Sequence, residues 1–139
     1  MKMRLHHSSL VLSLLLAALP AFAHHSFTSE FDINQPIEFK GVITKFDWVN
    51  PHAWVYVDVK GEDGKLVNWA VETGAPNALL RRGVRKTDFP TGVEVTVKGW
   101  RAKNGTATAN GKSIKLADGR NFELGTSAGG GDPNAGAGQ

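Results

Sequence analysis

The sequence predicts an all-β fold: a small five-stranded, OB-like Greek-key barrel with one short helix between strands 3 and 4. Three observations predict it. Apolar residues recur mainly with period two. The apolar runs are short and are punctuated by Gly, Asn-Pro and Asp-Gly turn cues. One helix-like stretch interrupts them, after the third run. A small open sandwich is the alternative arrangement of the same strands.

In the first run, Ile37 and Phe39 alternate up to Gly41, and Val42, Thr44, Phe46 and Trp48 continue with shifted phase. A phase change at a glycine predicts a bulge or sharp bend there. Asn50-Pro51 marks a turn. The second strand, Ala53 to Val59, places Ala53, Val55, Val57 and Val59 on one face and His52, Trp54, Tyr56 and Asp58 on the other. Asp63-Gly64 is a hairpin cue, and Leu66 to Glu72 follows as a third strand with Val67, Trp69 and Val71 on a shared face. Ala75 to Arg82 reads as two helical turns, with Pro76 near its start and Arg81, Arg82 and Gly83 at its end. Val93, Val95 and Val97 then lead a fourth strand into Gly99 and Trp100, and Lys112 to Ala117 forms a fifth. Asp118-Gly119 is a final hairpin cue, leading to Arg120 to Leu124.

The expected organisation is a cleavable export signal at 1–23, an N-terminal arm at 24–35, the β-domain at 36–125, and a disordered Gly/Ala-rich tail at 126–139. Lys2 and Arg4 precede an apolar stretch from Leu10 to Leu19, and Ala21-Phe22-Ala23 offers a small-x-small cleavage site. That stretch is short for a bilayer span, which needs about 20 apolar residues. The expectation is therefore a periplasmic or secreted protein that is not integral to the membrane after cleavage. The tail has too little apolar bulk to offset its ordering entropy.

The 139 residues contain no cysteine, which excludes a disulfide framework, a thiolate metal site and a cysteine nucleophile. The formal charge is +3, from 16 Lys and Arg against 13 Asp and Glu. Two of the basic residues belong to the leader, so the mature chain carries about +1. Such a balance makes no electrostatic case for nucleic acid or an anionic membrane as partner.

The pieces HHSF at 24–27, EFD at 30–32, NPHAW at 50–54, NWA at 68–70 and PNALLRRG at 76–83 resemble a family of small exported bacterial proteins catalogued as a domain of unknown function. The resemblance spans roughly residues 23–125. It implies an exported β-barrel-like domain and brings with it no activity, substrate or catalytic residue.

Chemistry is therefore read from the residues themselves. Cleavage after Ala23 would expose the α-amine of His24, followed at once by His25. Amine, amide and imidazole nitrogens in such a set favour Cu(II), which tops the divalent affinity series. His52, at the turn before the second strand, is the third candidate ligand if the arm folds back to it. Asp47 and Glu30 are the nearest oxygen donors in sequence. The bland alternative is a solvated histidine pair and a His52 that serves only its turn. Trp54 and Tyr56 form a second candidate site, because strands two and three carry the usual ligand face of this barrel type, where aromatics stack on rings or sugars. They could equally pack beneath the arm or the helix, where Phe27, Phe31 and Leu79 need partners. Arg81, Arg82, Arg85 and Lys86 form a small basic cluster that could bind an anionic polymer or phosphate, though such a cluster is more often a solvated helix end. No serine sits in a nucleophile setting and no glycine-rich phosphate loop is present, so the sequence favours a binding protein over an enzyme. The leading expectation is an exported protein that binds copper through His24, His25 and His52. The alternative is a metal-free module that binds a glycan, peptide or protein partner in the envelope through Trp54 and Tyr56.

Overall fold

A 17-residue strand, β1 (Phe31–Asp47), is the backbone of the sheet because it pairs with two neighbours at once. The computed structural model describes residues 27–125. Ahead of β1 lies a single helical turn, α1 (Phe27–Glu30). After it come β2 (Trp54–Lys60), β3 (Leu66–Glu72), the helix α2 (Pro76–Arg81), a 3-10 turn at Lys86–Asp88, β4 (Glu94–Ala102), β5 (Thr108–Leu116) and β6 (Asn121–Glu123). The described chain is mostly β. Strands are ordered β3-β2-β1-β4-β5-β6 with antiparallel neighbours, and β5 also pairs in parallel with β3, Ala70 to Glu72 against Thr108 to Asn110. The Asp118-Gly119 hairpin leads into β6, a sixth strand beyond the five expected.

Alternation decides which side chains meet. Ala53, Val55 and Val57 of β2 and its approach are fully buried, with Val71 of β3, Val95 and Val97 of β4, and Ile114 and Leu116 of β5. These residues form the main core with Ile43, Leu79, Val84, Phe89 and Leu124. The phase of β1 does not change at Gly41 as expected. Ile37, Phe39, Gly41 and Ile43 keep one phase, Val42 and Thr44 face solvent, and the register with β2 slips between Ile43 and Lys45. Phe46 and Trp48 turn inward only after that slip. Gly41 has a different reason to be small: a Cβ there would collide with the Asp58 carbonyl oxygen and lie 2.6 Å from Val57 Cγ1.

Helix α2 covers one end of the core. Pro76 at its first turn needs no N–H partner. At its other end, Val84 N–H donates to the Leu79 carbonyl and Gly83 N–H to the Leu80 carbonyl, both at 3.0 Å, while Gly83 takes φ of 81°. This 6→1 and 5→2 pair is a Schellman stop, and it buries Leu79 against Val84. An L side chain in this left-handed region costs roughly 1–2 kcal/mol. We expect Gly83→Ala to lower the melting temperature by about 4–16 °C, since a Cβ there meets nothing within 4 Å and only backbone strain opposes it. Circular dichroism melting checks this, and an unchanged midpoint would show that the stop is dispensable.

Candidate functional site

The ladder of pairings sets one row of residues across four strands. Trp54 of β2 pairs with Glu72 of β3, Glu72 with Asn110 of β5, and Asn110 with Trp100 of β4. Paired residues in a sheet project from the same face, so Glu72, Asn110 and Trp100 stand side by side on the face opposite the main core. His52 joins the row because Ala53 extends the β2–β3 ladder: Thr73 N–H donates to the Ala53 carbonyl at 2.9 Å, and Ala53 N–H to the Gly74 carbonyl at 3.2 Å. This makes His52 the diagonal neighbour of Glu72, within reach of a long side chain. His52 Nδ1 and Glu72 Oε1 are in direct contact. The Asn50–Pro51 bond that precedes it is cis.

Glu72 is the buried half of this pair, with 8% of its side chain exposed against 29% for His52. Burial pushes its carboxyl above the ordinary carboxylate range. The nearby charge and hydrogen bond of His52 oppose that rise, Glu30 adds to it, and a hydrogen bond from Asn110 opposes it again. No lysine or arginine pairs with Glu72 among the described residues. Asn110 is itself 2% exposed, and its Oδ1 is buried with no hydrogen-bond partner. Leaving such an acceptor unsatisfied costs about 1–3 kcal/mol.

Next to this polar row, the start of the chain's described part is anchored. The Phe27 ring lies 5.4 Å from Trp100, edge to face, and 5.7 Å from Phe31, stacked. With Ala102 these residues form a second buried cluster, separate from the main core. Lys103 N–H donates to the Glu30 carbonyl at 2.9 Å, tying α1 to the end of β4. The sequence left open whether Phe27 and Phe31 pack on Trp54 and Tyr56; their partner is Trp100, and Leu79 belongs to the main core.

The sequence-derived site residues are thus distributed as follows. His24 and His25, with the expected leader and tail, lie outside the described residues. His52 is half-buried beside Glu72. Trp54 and Tyr56 are half-buried on β2, with Lys45 Nζ 5.3 Å from the Tyr56 ring centre. Of the two expected oxygen donors, Asp47 is engaged by Lys45 at 2.7 Å, while Glu30 is close enough to act on Glu72. Glu72 and Asn110 were missed. The signal for Glu72 was present, since the Asp63-Gly64 hairpin sets β2 against β3 and brings residue 72 opposite residue 54. The parallel β3–β5 pairing that delivers Asn110 has no such local cue.

Among the described residues, no group of three or more His, Asp or Glu is placed to hold a metal ion, and no helix is long and apolar enough to cross a membrane. A polar groove of about 600 Å³ runs along β1, β4 and β5 past Lys40, Thr96, Lys98 and Lys115. It is mixed in charge, with Glu38 and Glu94 among the lysines, and lies apart from the His52 row.

No curated protein and no solved structure matches this chain. A family model matches residues 11–112, and the chain accordingly belongs to DUF6152, a family of unknown function.

Proposed function

We propose that this protein is an exported, periplasmic binding protein of OB-like barrel fold that holds a transition-metal ion, copper, through His24, His25 and His52. The barrel reading is supported by the pairing cycle: β1 joins β2 and β4, and the parallel β3–β5 contact closes the ring. Export is supported by the leader pattern, which would free the His24 amine. Storage, delivery or sensing of copper in the envelope would be the role.

One observation carries the metal reading. Phe27, three residues after His24, is seated on Trp100, in the same register row as Glu72 and therefore as the imidazole that Glu72 holds. Trp100 and Glu72 are separated by two strand spacings, roughly 10 Å. An extended chain spans about 3.3–3.6 Å per residue, so the three residues upstream of Phe27 are long enough to bring an amine alongside Glu72, where the His52 imidazole meets it. Nitrogen donors in that number suit Cu(II) above the other divalent ions.

The test is titration of the cleaved protein with Cu(II), beside a variant carrying one extra residue before His24. The extension keeps every side chain but moves the amine. We expect one equivalent of copper on the cleaved form and a loss in the extended form larger than the roughly 10–100-fold typical of removing an outer partner. Equal affinity and an unchanged copper spectrum in both forms would overturn the amine-terminal site.

A second reading keeps its own observation. Trp54 and Tyr56 stand two residues apart on β2, each with part of its surface open. A metal-free module binding a glycan, peptide or protein would use that face. It predicts that neutral oligosaccharides or peptides quench tryptophan fluorescence, and that Trp54→Ala abolishes the response without unfolding the chain.

A further inference from the structure

The proposed copper site needs His52 to present one defined nitrogen, and an imidazole on a turn does not do this unaided. The neutral ring carries its proton on either nitrogen, and the other nitrogen is the one able to bind a metal. In this protein Nδ1 is committed to Glu72 Oε1. A carboxylate accepts and cannot donate, so the proton belongs on Nδ1 and the lone pair on Nε2. Glu72 also accepts a hydrogen bond from Asn110, its pairing partner on β5.

We propose that Glu72 is the positioning residue of this site, holding His52 in the Nδ1–H form so that Nε2 is the metal-binding nitrogen, with Asn110 fixing Glu72 from β5. The inference rests on the copper reading and adds the residue that orients its imidazole.

Three features of the row fit a cation and its donors. Glu72 is a buried acid with no lysine or arginine beside it among the described residues. A metal ion on His52 would supply the missing positive charge at close range. Asn110 Oδ1 is an unpartnered acceptor at 2% exposure, an orphaned polar atom next to Glu72 that is open to a further donor. A carboxylate behind a metal-binding imidazole also raises the ligand's basicity and fixes the ring's orientation.

The experiment uses the cleaved protein in two states. Long-range 15N–1H spectra of the metal-free form report the His52 tautomer directly, and Cu(II) titration reports affinity. The variant is Glu72→Gln, which keeps size and an acceptor oxygen and removes the charge, with a melting curve to verify folding. Glu72→Asp serves as the second variant should Gln fail to fold. We expect His52 as Nδ1–H in the wild type, and copper affinity about 10–100-fold weaker in the folded variant. Wild-type His52 protonated on Nε2, or copper bound equally by wild type and variant, overturns the role of Glu72 alone. Absence of stoichiometric copper on the wild type overturns the copper reading and this inference with it, whatever the tautomer.

Discussion

Gly99→Ala will lower the melting temperature by roughly 12–24 °C and displace Asn110 from Glu72. Gly99 lies where the β4–β5 register shifts, between Lys98 and Gly99, and β5 comes very near β4 there. A Cβ at this position would collide with the Asn110 carbonyl oxygen and sit 3.2 Å from the Gly111 Cα. Both obstacles are backbone, so no rotamer change relieves them. Gly111 is constrained from the other side, since its own Cβ would lie 2.8 Å from Val71 Cγ1 and 3.2 Å from the Glu72 carbonyl oxygen. The strands must therefore separate. Overpacking costs typically about 1–3 kcal/mol, and the rigid case belongs at the upper end, with about 4–8 °C lost per kcal/mol in a domain of this size. Because Asn110 is the residue displaced, the His52 ring signals should shift in the same variant. Thermal melting followed by circular dichroism, with NMR of the imidazole, checks both parts. A melt like the wild type's would mean that the two strands are not pressed together here.

His52→Ala in the metal-free protein should cost about 3 kcal/mol at neutral pH and much less in mild acid. Removing the imidazole leaves a buried carboxylate without this hydrogen-bond partner, an effect of roughly 1–3 kcal/mol and more where the group is charged. The upper part of that range applies because the Glu72 side chain is only 8% exposed, while the imidazole it loses keeps 29% of its surface in water. The pH dependence follows from Glu72. Burial already raises its carboxyl above the ordinary value of 4.5, and the charge and hydrogen bond of His52 restrain that rise. Without them the folded-state value climbs further. A carboxyl whose value is higher in the folded than in the unfolded chain favours folding fully below the unfolded value, and that contribution is lost as pH rises through the folded value. The gap between variant and wild type therefore widens from acid to neutral. Urea denaturation of both proteins at roughly pH 5 and pH 8 measures it. A gap that stays constant would mean that Glu72 does not depend on His52 for its charge.

These two variants touch the same four-strand row from opposite ends, and that row divides what the chain displays locally from what it does not. The strands themselves are legible. Period-two alternation in Ala53 to Val59 correctly picks out the buried valines, because a strand's side chains alternate whatever it packs against. Pro76 and Gly83 bracket the helix for reasons internal to the backbone, a missing N–H and a left-handed φ. His52 stands out because it is the one histidine among the described residues. The phase slip of β1 was legible in kind but not in place. Gly41 drew attention as the flexible residue, yet the slip follows Ile43, because register is set jointly by two partner strands.

By itself, the sequence determined a mostly β chain, the turns and helix stop that punctuate it, its membership of DUF6152, and His52 as a residue to watch. Only the tertiary structure decided that Glu72, Asn110 and Trp100 belong beside it. The physical reason is range. Turn chemistry, capping and alternation act over a few residues, whereas β5 reaches β3 by a parallel pairing across nearly 40 positions that no local pattern encodes. A buried carboxylate, its imidazole and an unsatisfied amide oxygen acquire their meaning only once that pairing brings them together.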